Sequence, residues 1–204
     1  MLSPFLLFQS PSPDELLFRS LNLAGTNAAL DLAMVVITSL ALTYVIPLVA
    51  VPLWMRGRRE LAIDVLVLLA ITILVTEALK IATAKSRPCE ALPGVLVIAP
   101  EFCPGSLDAF PSGHTSRAFA LAGFLATRSR IRIGAPAFVV AGLVGLSRIY
   151  LGVHWPSDVL GGAVLGVALA IAFYAIEKRS AGYRRARDAV VAGLRGLRSR
   201  TPAP

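Results

Sequence analysis

The chain has 204 residues, a one-domain length, of which 56% are hydrophobic and 16% are charged. With a mean hydropathy of +0.72, this composition excludes an ordinary soluble domain, in which roughly 25% of residues are charged. The net charge of +8 does not indicate nucleic-acid binding, because the basic residues gather in short clusters between apolar runs. A polytopic membrane protein is therefore expected.

A short helix is predicted ahead of the first long apolar segment. Ser12 can cap its start, Pro13 suits its first turn, and Glu15 completes a capping box. Leucines then alternate with polar residues such as Arg19 and Asn22, a pattern typical of a helix lying in the membrane interface. A sixth membrane segment, tilted or re-entrant, is the alternative.

Five further segments approach or meet the roughly 20 apolar residues that a spanning helix needs. Pro47 and Pro52 are expected to bend or end the first of them. The segments are Ala28–Trp54, Leu61–Ala82, Thr115–Ala126, Ala135–Leu151 and Pro156–Ile176. The predicted fold is all-α, a polytopic transmembrane helix bundle of five to six spans with an N-terminal interfacial or re-entrant helix. Its predicted parts are an N-terminal interfacial region at 1–27, a membrane domain at 28–176 and a basic cytoplasmic tail at 177–204.

The basic clusters predict the orientation of the bundle. They are Arg56, Arg58 and Arg59 after span one, Arg128, Arg130 and Arg132 after span three, and the tail from Lys178 to Arg200. An outside N-terminus and five spans put all three clusters in the cytoplasm, as the positive-inside rule requires. The tail either contacts anionic lipid or only controls topology.

Two cysteines, Cys89 and Cys103, lie in one loop between apolar segments. This orientation makes the loop extracytoplasmic, where a disulfide can form and persist. The alternatives are a bridge that closes the loop or two free thiols.

The first polar motif is Lys80-x6-Arg87-Pro88, at the end of span two. Lys80 and Arg87 would share a face if the helix continued, and the guanidinium can offer a fork of donors to phosphate oxygens. The alternative is that both side chains only extend to the interface. Lys85 does not fit this spacing and is interpreted as a solvated interfacial charge.

The second motif is Pro111-Ser112-Gly113-His114, directly before an apolar helical run. Ser112 is a good helix cap, and Gly113 lets the backbone approach a ligand closely. Exposed N–H groups at a helix start bind anions, and His114 can donate a proton to a leaving oxygen. The alternative is a simple loop-to-helix junction.

The third motif is Ser147-Arg148-x5-His154-x3-Asp158. His154 and Asp158 are four residues apart at the start of a helix, so the carboxylate can orient the imidazole and leave its other nitrogen free as a nucleophile. The alternative is a structural hydrogen bond between two residues at a helix end.

Metal binding is the other interpretation of His114, His154 and Asp158. No HExxH or similar spacing is present, and three nearby cations would repel a metal ion. No metal and no cofactor are therefore expected.

Together, the three motifs resemble those of the type 2 phosphatidic acid phosphatase (PAP2) family, which is related to vanadium haloperoxidases and some bacterial acid phosphatases. They occur in the family's order and spacing, and the resemblance covers about Leu61 to Ile176. It implies a membrane helix bundle, commonly of six helices, and a reaction that needs no metal. Haloperoxidase activity is disfavoured because the relatives that have it are soluble.

The resemblance also implies roles for the reacting groups. His154 would attack phosphorus and form a phosphohistidine, while Asp158 holds its ring. His114 would protonate the leaving oxygen and then activate the hydrolytic water.

The resemblance implies phosphate binding by the remaining motif residues. Lys80, Arg87 and Arg148 would neutralise the phosphoryl oxygens. Ser112 and the backbone of Gly113 would assist them, because electrostatic stabilisation is the main demand of phosphoryl transfer.

The sequence therefore predicts an integral membrane phosphatase of the cytoplasmic membrane, acting on a lipid phosphate or pyrophosphate from the extracytoplasmic side. Polyprenyl pyrophosphate is the favoured substrate, with phosphatidylglycerol phosphate and phosphatidic acid as alternatives. A lipid phosphotransferase with the same phosphohistidine, or a non-enzymatic anion-binding membrane module, would also explain the cations. The expected partner is a membrane lipid, with no nucleic acid. The oligomeric state is not predicted.

Overall fold

The computed structural model describes residues 10–22, 24–98, 103, 105, 107–128 and 131–198. These residues form an all-helical bundle without strands. The helices are α1 (Pro13–Asn22), α2 (Ala28–Ser39), α3 (Ala50–Met55), α4 (Arg59–Thr83), α5 (Pro88–Ala91), α6 (Gly113–Arg128), α7 (Ile131–Tyr150), α8 (Pro156–Arg179) and α9 (Ala181–Arg198). Parts of three predicted regions lie outside this description. They are residues 1–9 and 23 of the N-terminal region, residue 130 of the second basic cluster and residues 199–204 of the tail.

The N-terminal helix α1 begins where the capping box predicts. The backbone N–H of Glu15 donates to Ser12 Oγ at 3.2 Å. With 10 residues, α1 is about 15 Å long, which is too short to cross a bilayer. It packs on α7 and α8, and the buried Asn22 donates to the carbonyls of Leu96 and Tyr150 at 2.9 Å. These contacts hold α1 against the ends of α7 and α8.

The predicted first span is interrupted. Helix α2 ends at Ser39, and a 3-10 helix, Ile46–Val49, precedes α3. Pro47 and Pro52 were expected to bend or end this segment, but the break lies ahead of both, at residues 40–45. Pro47 stands in the first turn of the 3-10 helix, where its missing N–H costs little. The carbonyl of Ala41, released by the break, accepts a 3.0 Å hydrogen bond from Arg117 Nε.

The other predicted spans all form helices. By length and composition, the segments Arg59–Ala91, Ile133–Tyr150 and Pro156–Arg179 can cross a membrane. Helix α6 has 16 residues and packs mainly against α8 and α7, with further contacts to α4. The chain is thus an integral membrane protein with α6 near the centre of the bundle.

Two glycines of α8 let α6 approach its backbone. A Cβ at Gly162 would lie 2.7 Å from the carbonyl oxygen of Ser112, and one at Gly166 would lie 2.8 Å from the backbone nitrogen of Ala120. Both distances are too short for any side chain. Small residues of this kind allow close helix packing in membranes, and they bring the start of α6 against the start of α8.

The opposite end of the bundle holds a buried carboxylate, Asp64 of α4, which is 0% exposed. It accepts hydrogen bonds from Tyr183 Oη at 2.7 Å, Arg187 Nη1 at 3.1 Å and Arg128 Nη1 at 3.3 Å. Burial and the bond to Asp64 raise the pKa of Tyr183. The first part of the predicted tail is therefore a helix packed on α4 and α8.

Candidate active site

Four helix ends meet at the end of the bundle away from Asp64. The backbone N–H of Ser112 donates to the carbonyl of Asp158 at 3.0 Å, which joins the start of α6 to the start of α8. Thr83 Oγ1 donates to the carbonyl of Phe110 at 2.8 Å, which joins the end of α4 to the same loop. The end of α7 joins them through Arg148, whose carbonyl accepts from the N–H of Val153 at 3.2 Å. The three motifs therefore converge.

His154 lies in the tight connection between α7 and α8 and is 2% exposed. Gly152 makes this connection possible with φ +81°, a left-handed conformation that favours glycine. Burial, together with the positive charges of Arg148 and Arg87, lowers the pKa of His154 to about 4, although Asp158 opposes the shift. The imidazole is therefore neutral near pH 7, as a nucleophile must be.

Asp158 is buried beside His154 but is held by other groups. Its Oδ2 lies 3.6 Å from His154 Nδ1, longer than a hydrogen bond, so the expected direct bond is not formed in this state. Instead, Oδ2 accepts from the N–H of Trp155 at 2.9 Å and Oδ1 accepts from Lys85 Nζ at 2.7 Å. Nδ1 of His154 has no hydrogen-bond partner in the described part of the chain.

Lys85 was interpreted as a solvated interfacial charge, and that interpretation was wrong. Besides Asp158, its ammonium group contacts Ser157 Oγ at 2.8 Å, and it lies 5.7 Å from the ring centroid of Trp155. Asp14 of α1 lies 3.7 Å from the same nitrogen. Lys85 therefore compensates the buried charge of Asp158 and connects it to α1.

Lys80 and Arg87 are brought together, although not by a continuous helix. Helix α4 ends at Thr83, and Ala84 adopts a left-handed conformation with φ 43°, so the predicted shared helix face does not exist. Both side chains converge instead on Asp108. Arg87 donates to its two oxygens at 2.8 and 3.0 Å, and Lys80 Nζ lies 3.9 Å away.

Arg148 is the most deeply buried cation of the site, with 2% exposure. Its Nη1 donates to Thr38 Oγ1 of α2 at 2.8 Å. The charge is close enough to act on both histidines, His114 and His154. Arg148 is therefore a buried cation that acts on both groups that the sequence predicts to react.

The second motif lies at the start of α6, close to two cations. Ser112 and Gly113 are buried, and a Cβ at Gly113 would lie 3.2 Å from Arg117 Nη1 and 3.7 Å from Lys80 Nζ. Nε2 of His114 is buried and has no hydrogen-bond partner among the described residues. An anion beside Gly113 would thus meet two cations and an imidazole.

A disulfide between Cys89 and Cys103 closes a loop in the connection between α4 and α6, the same connection that carries Asp108. These cysteines, with Glu90, are also the one group of potential metal ligands found close together in the described residues. Because both sulfurs are bonded to each other, they are not thiolate ligands.

A sequence model described as the PAP2 superfamily matches residues 61–181, the segment that carries all three motifs. The chain belongs to the PAP2 superfamily. The undecaprenyl-diphosphatase BcrC of Bacillus subtilis is 32% identical to it over 168 residues, which cover 78% of this chain and 81% of that protein.

Two solved structures of PAP2 type have the same arrangement of helices. LpxE of Aquifex aeolicus is 30% identical with a TM-score of 0.70, and the match covers 78% of this chain and 92% of that one. The transmembrane PAP2 type phosphatidylglycerolphosphate phosphatase of Bacillus subtilis is 28% identical with a TM-score of 0.65, covering 83% and 87%. This PAP2 chain is therefore a membrane phosphatase.

Three charged residues that contact or approach the motif side chains were not assigned to the candidate site from the sequence. Lys85 stands inside the first motif, and Asp108 stands four positions before Ser112. Arg117 follows His114 by one helical turn, which places both on one face of α6. That spacing was a signal for Arg117, whereas nothing in the sequence pairs Asp108 with Arg87.

Proposed function

We propose that this PAP2 protein hydrolyses a lipid phosphate or pyrophosphate through a phosphohistidine on His154. The observation that carries the proposal is the burial of a neutral imidazole among cations. His154 has Arg148 and Arg87 near it and Asp158 behind Nδ1. A neutral nucleophile in a positive pocket is suited to attack a phosphate dianion.

In the proposed first step, Nε2 of His154 attacks phosphorus, because Nδ1 faces Asp158. The P–N bond forms as the bond from phosphorus to the leaving oxygen breaks, and His114 gives that oxygen its proton. In the second step, water loses a proton to His114 and attacks the phosphohistidine. The P–N bond breaks, inorganic phosphate leaves, and both histidines return to their starting states.

The cations and the helix start stabilise the charge that the phosphoryl group carries in both transition states. Arg87, Arg148 and Lys80 surround its oxygens, and Ser112 with the Gly113 backbone supplies further donors. Asp108 now holds Arg87 and approaches Lys80. Asp108 therefore keeps both cations paired before binding, and the substrate phosphate would then replace it.

A polyprenyl pyrophosphate is the proposed substrate. The similarity to an undecaprenyl-diphosphatase along most of both chains supports this choice. The similarity to a phosphatidylglycerolphosphate phosphatase supports the alternative. Phosphate release from purified polyprenyl pyrophosphate, phosphatidylglycerol phosphate and phosphatidic acid in mixed micelles would decide, with the highest kcat/KM expected for polyprenyl pyrophosphate.

The mechanism is tested by replacing His154. His154→Gln should lower metal-independent phosphatase activity by at least about a thousandfold. Tyr174→Phe, in the membrane-spanning part of α8, should leave this activity unchanged. Full activity in His154→Gln would refute the nucleophile. A phosphorylated acceptor in place of free phosphate would instead show a phosphotransferase.

The intermediate can be trapped in His114→Asn. With p-nitrophenyl phosphate, whose leaving group needs little protonation, this variant should still form the phosphoenzyme but hydrolyse it slowly. We expect a burst of p-nitrophenol and an acid-labile, base-stable phosphate on the peptide that contains His154. A label on any other residue would contradict the proposal.

We propose that the site faces the extracytoplasmic side and that α9 lies on the cytoplasmic side, where its arginines meet anionic lipid. The basic clusters and the disulfide loop support this orientation. In a Cys89→Ser, Cys103→Ser background, Leu107→Cys should react with a membrane-impermeant maleimide in intact cells. Asp188→Cys, in exposed α9, should react only after permeabilisation, and the reverse pattern would invert the orientation.

A further inference from the structure

Arg117 is a buried cation that the proposed mechanism does not use. It is 4% exposed, and its one described hydrogen bond runs from Nε to the carbonyl of Ala41 at 3.0 Å. Within the described residues, no carboxylate lies at ion-pair distance from its guanidinium. Glu77 acts on it electrostatically but is paired with Lys80 at 3.0 Å. A buried charge without a counter-ion is costly, so an anionic ligand is the natural partner for its Nη groups.

The unpaired end of Arg117 points to the start of α6. Its Nη1 lies 3.2 Å from where a Cβ of Gly113 would stand, and Lys80 Nζ lies 3.7 Å from the same point. Two cations therefore approach one buried glycine backbone at a helix N-terminus, an arrangement that binds anions. Unlike a bare helix start, this one has a buried arginine directed into it, whose Nη groups have no hydrogen-bond partner among the described residues.

Arg117 stands one helical turn after His114 in α6, so both side chains lie on one face of that helix. His154 is the proposed nucleophile and His114 the proposed donor to the leaving oxygen. Arg117 is therefore placed beside the group that would protonate the leaving oxygen.

The neighbours of Arg117 line an apolar cavity of about 240 Å³. They are Ala41, which accepts its hydrogen bond, and Ala118, the next residue of α6, and Val144 of α7 also belongs to the lining. A lipid chain in this cavity would have its headgroup at Arg117. The group next to the chain in a lipid pyrophosphate is the phosphate that stays on the lipid.

We propose that Arg117 binds the non-transferred phosphate of a lipid diphosphate and so selects diphosphates over monophosphates. This inference rests on the proposed function, since it assumes that His154 attacks the terminal phosphorus. As the terminal phosphate leaves for His154, negative charge accumulates on the lipid monophosphate. Arg117 would stabilise that charge beside His114, which protonates the same leaving group.

The test compares two substrates in each variant. Arg117→Gln and Arg117→Lys are assayed on a polyprenyl diphosphate and on the polyprenyl monophosphate of the same chain length, with the vanadate inhibition constant measured in parallel. Arg117→Gln should lower kcat/KM for the diphosphate by about tenfold to a hundredfold. The monophosphate reaction and the inhibition constant should change less than about threefold, and Arg117→Lys should recover part of the diphosphate activity.

Arg128→Gln is the matched control, because Arg128 is a partly buried arginine at the other end of α6, where it pairs with Asp64 at 3.3 Å. It should leave the ratio of the two activities unchanged even if it lowers stability. An equal loss on both substrates in Arg117→Gln would overturn the inference, as would no loss on either. If the wild-type protein hydrolysed neither lipid, the proposed function itself would fail.

Discussion

Lys85 Nζ donates a 2.7 Å hydrogen bond to Oδ1 of Asp158, a carboxylate that is 0% exposed. This contact gives the buried charge its strongest partner, because the distance from Asp158 to His154 Nδ1 is 3.6 Å. In the resting site, Asp158 is therefore oriented mainly by Lys85 and by the backbone of Trp155. Lys85 acts on the nucleophile through Asp158 and is a positioning residue.

The first prediction concerns this contact. Lys85→Met should lower kcat by about tenfold to a hundredfold, the range for losing a charged hydrogen bond, while KM changes little. Lys178→Met, which removes an ammonium group 5.6 Å from the ring of Tyr174 at the other end of α8, should leave kcat unchanged. Steady-state kinetics on p-nitrophenyl phosphate measure both, and a pure KM effect would assign Lys85 to substrate binding.

The second prediction concerns Asp108, which occupies Arg87 in the resting site. Asp108→Asn removes a negative charge that competes with the ligand, so the vanadate inhibition constant should fall by about threefold to tenfold. Glu90→Gln, an exposed carboxylate of the same connection, serves as the control. Weaker vanadate binding in Asp108→Asn would mean that Asp108 chiefly positions Arg87.

The third prediction follows from the pKa of His154, which burial lowers to about 4 from an ordinary value near 6.5. Because this pKa is lowered, the imidazole of His154 in the folded protein stays neutral while the pH falls from about 6.5 to about 4. The kcat/KM profile, which reports the free enzyme, should show no loss of nucleophile between pH 7 and 5.5 after correction for substrate ionisation. A tenfold fall per pH unit beginning near 6.5 would contradict the assignment.

The same shift has a consequence for stability. Between about pH 6.5 and 4, the unfolded chain binds a proton at His154 that the folded protein does not, so stability falls as pH falls through this range. His154→Gln removes this contribution. Its Tm should therefore decrease less than the wild-type Tm between pH 7 and pH 4.5 in the same detergent, and parallel curves would show that His154 titrates normally.

The last prediction concerns the opposite end of the bundle, where Tyr183 donates to the buried Asp64 at 2.7 Å. Tyr183→Phe should lower Tm by roughly 3–10 °C, since a hydrogen bond to a buried charge is lost. Tyr174→Phe should not, because no hydrogen bond of its hydroxyl is found within the described residues. Thermal unfolding in detergent gives the comparison, and unchanged kcat in Tyr183→Phe would separate this contact from catalysis.

Much of the fold could be predicted, because bilayer thickness sets the length of a spanning helix and its hydropathy can be read from consecutive residues. The segments that became α4, α6, α7 and α8 all carry their apolar runs in the sequence, and Ser12 caps α1 where its motif predicts. The interruption after Ser39 could not be located, because it lies ahead of both prolines and the carbonyl of Ala41 there is satisfied by Arg117 of a distant helix.

The sequence by itself determined the membrane class, most of the helical segments and the three motifs, because residue type and spacing carry that information along the chain. Only the tertiary structure decided which charges meet. Lys85 and Asp158 are 73 residues apart. Arg87 contacts Asp108 beyond the end of α4, a helix that the spacing of the first motif had predicted to be longer. Pairings of this kind arise when helices pack, since packing brings together side chains that no local pattern connects.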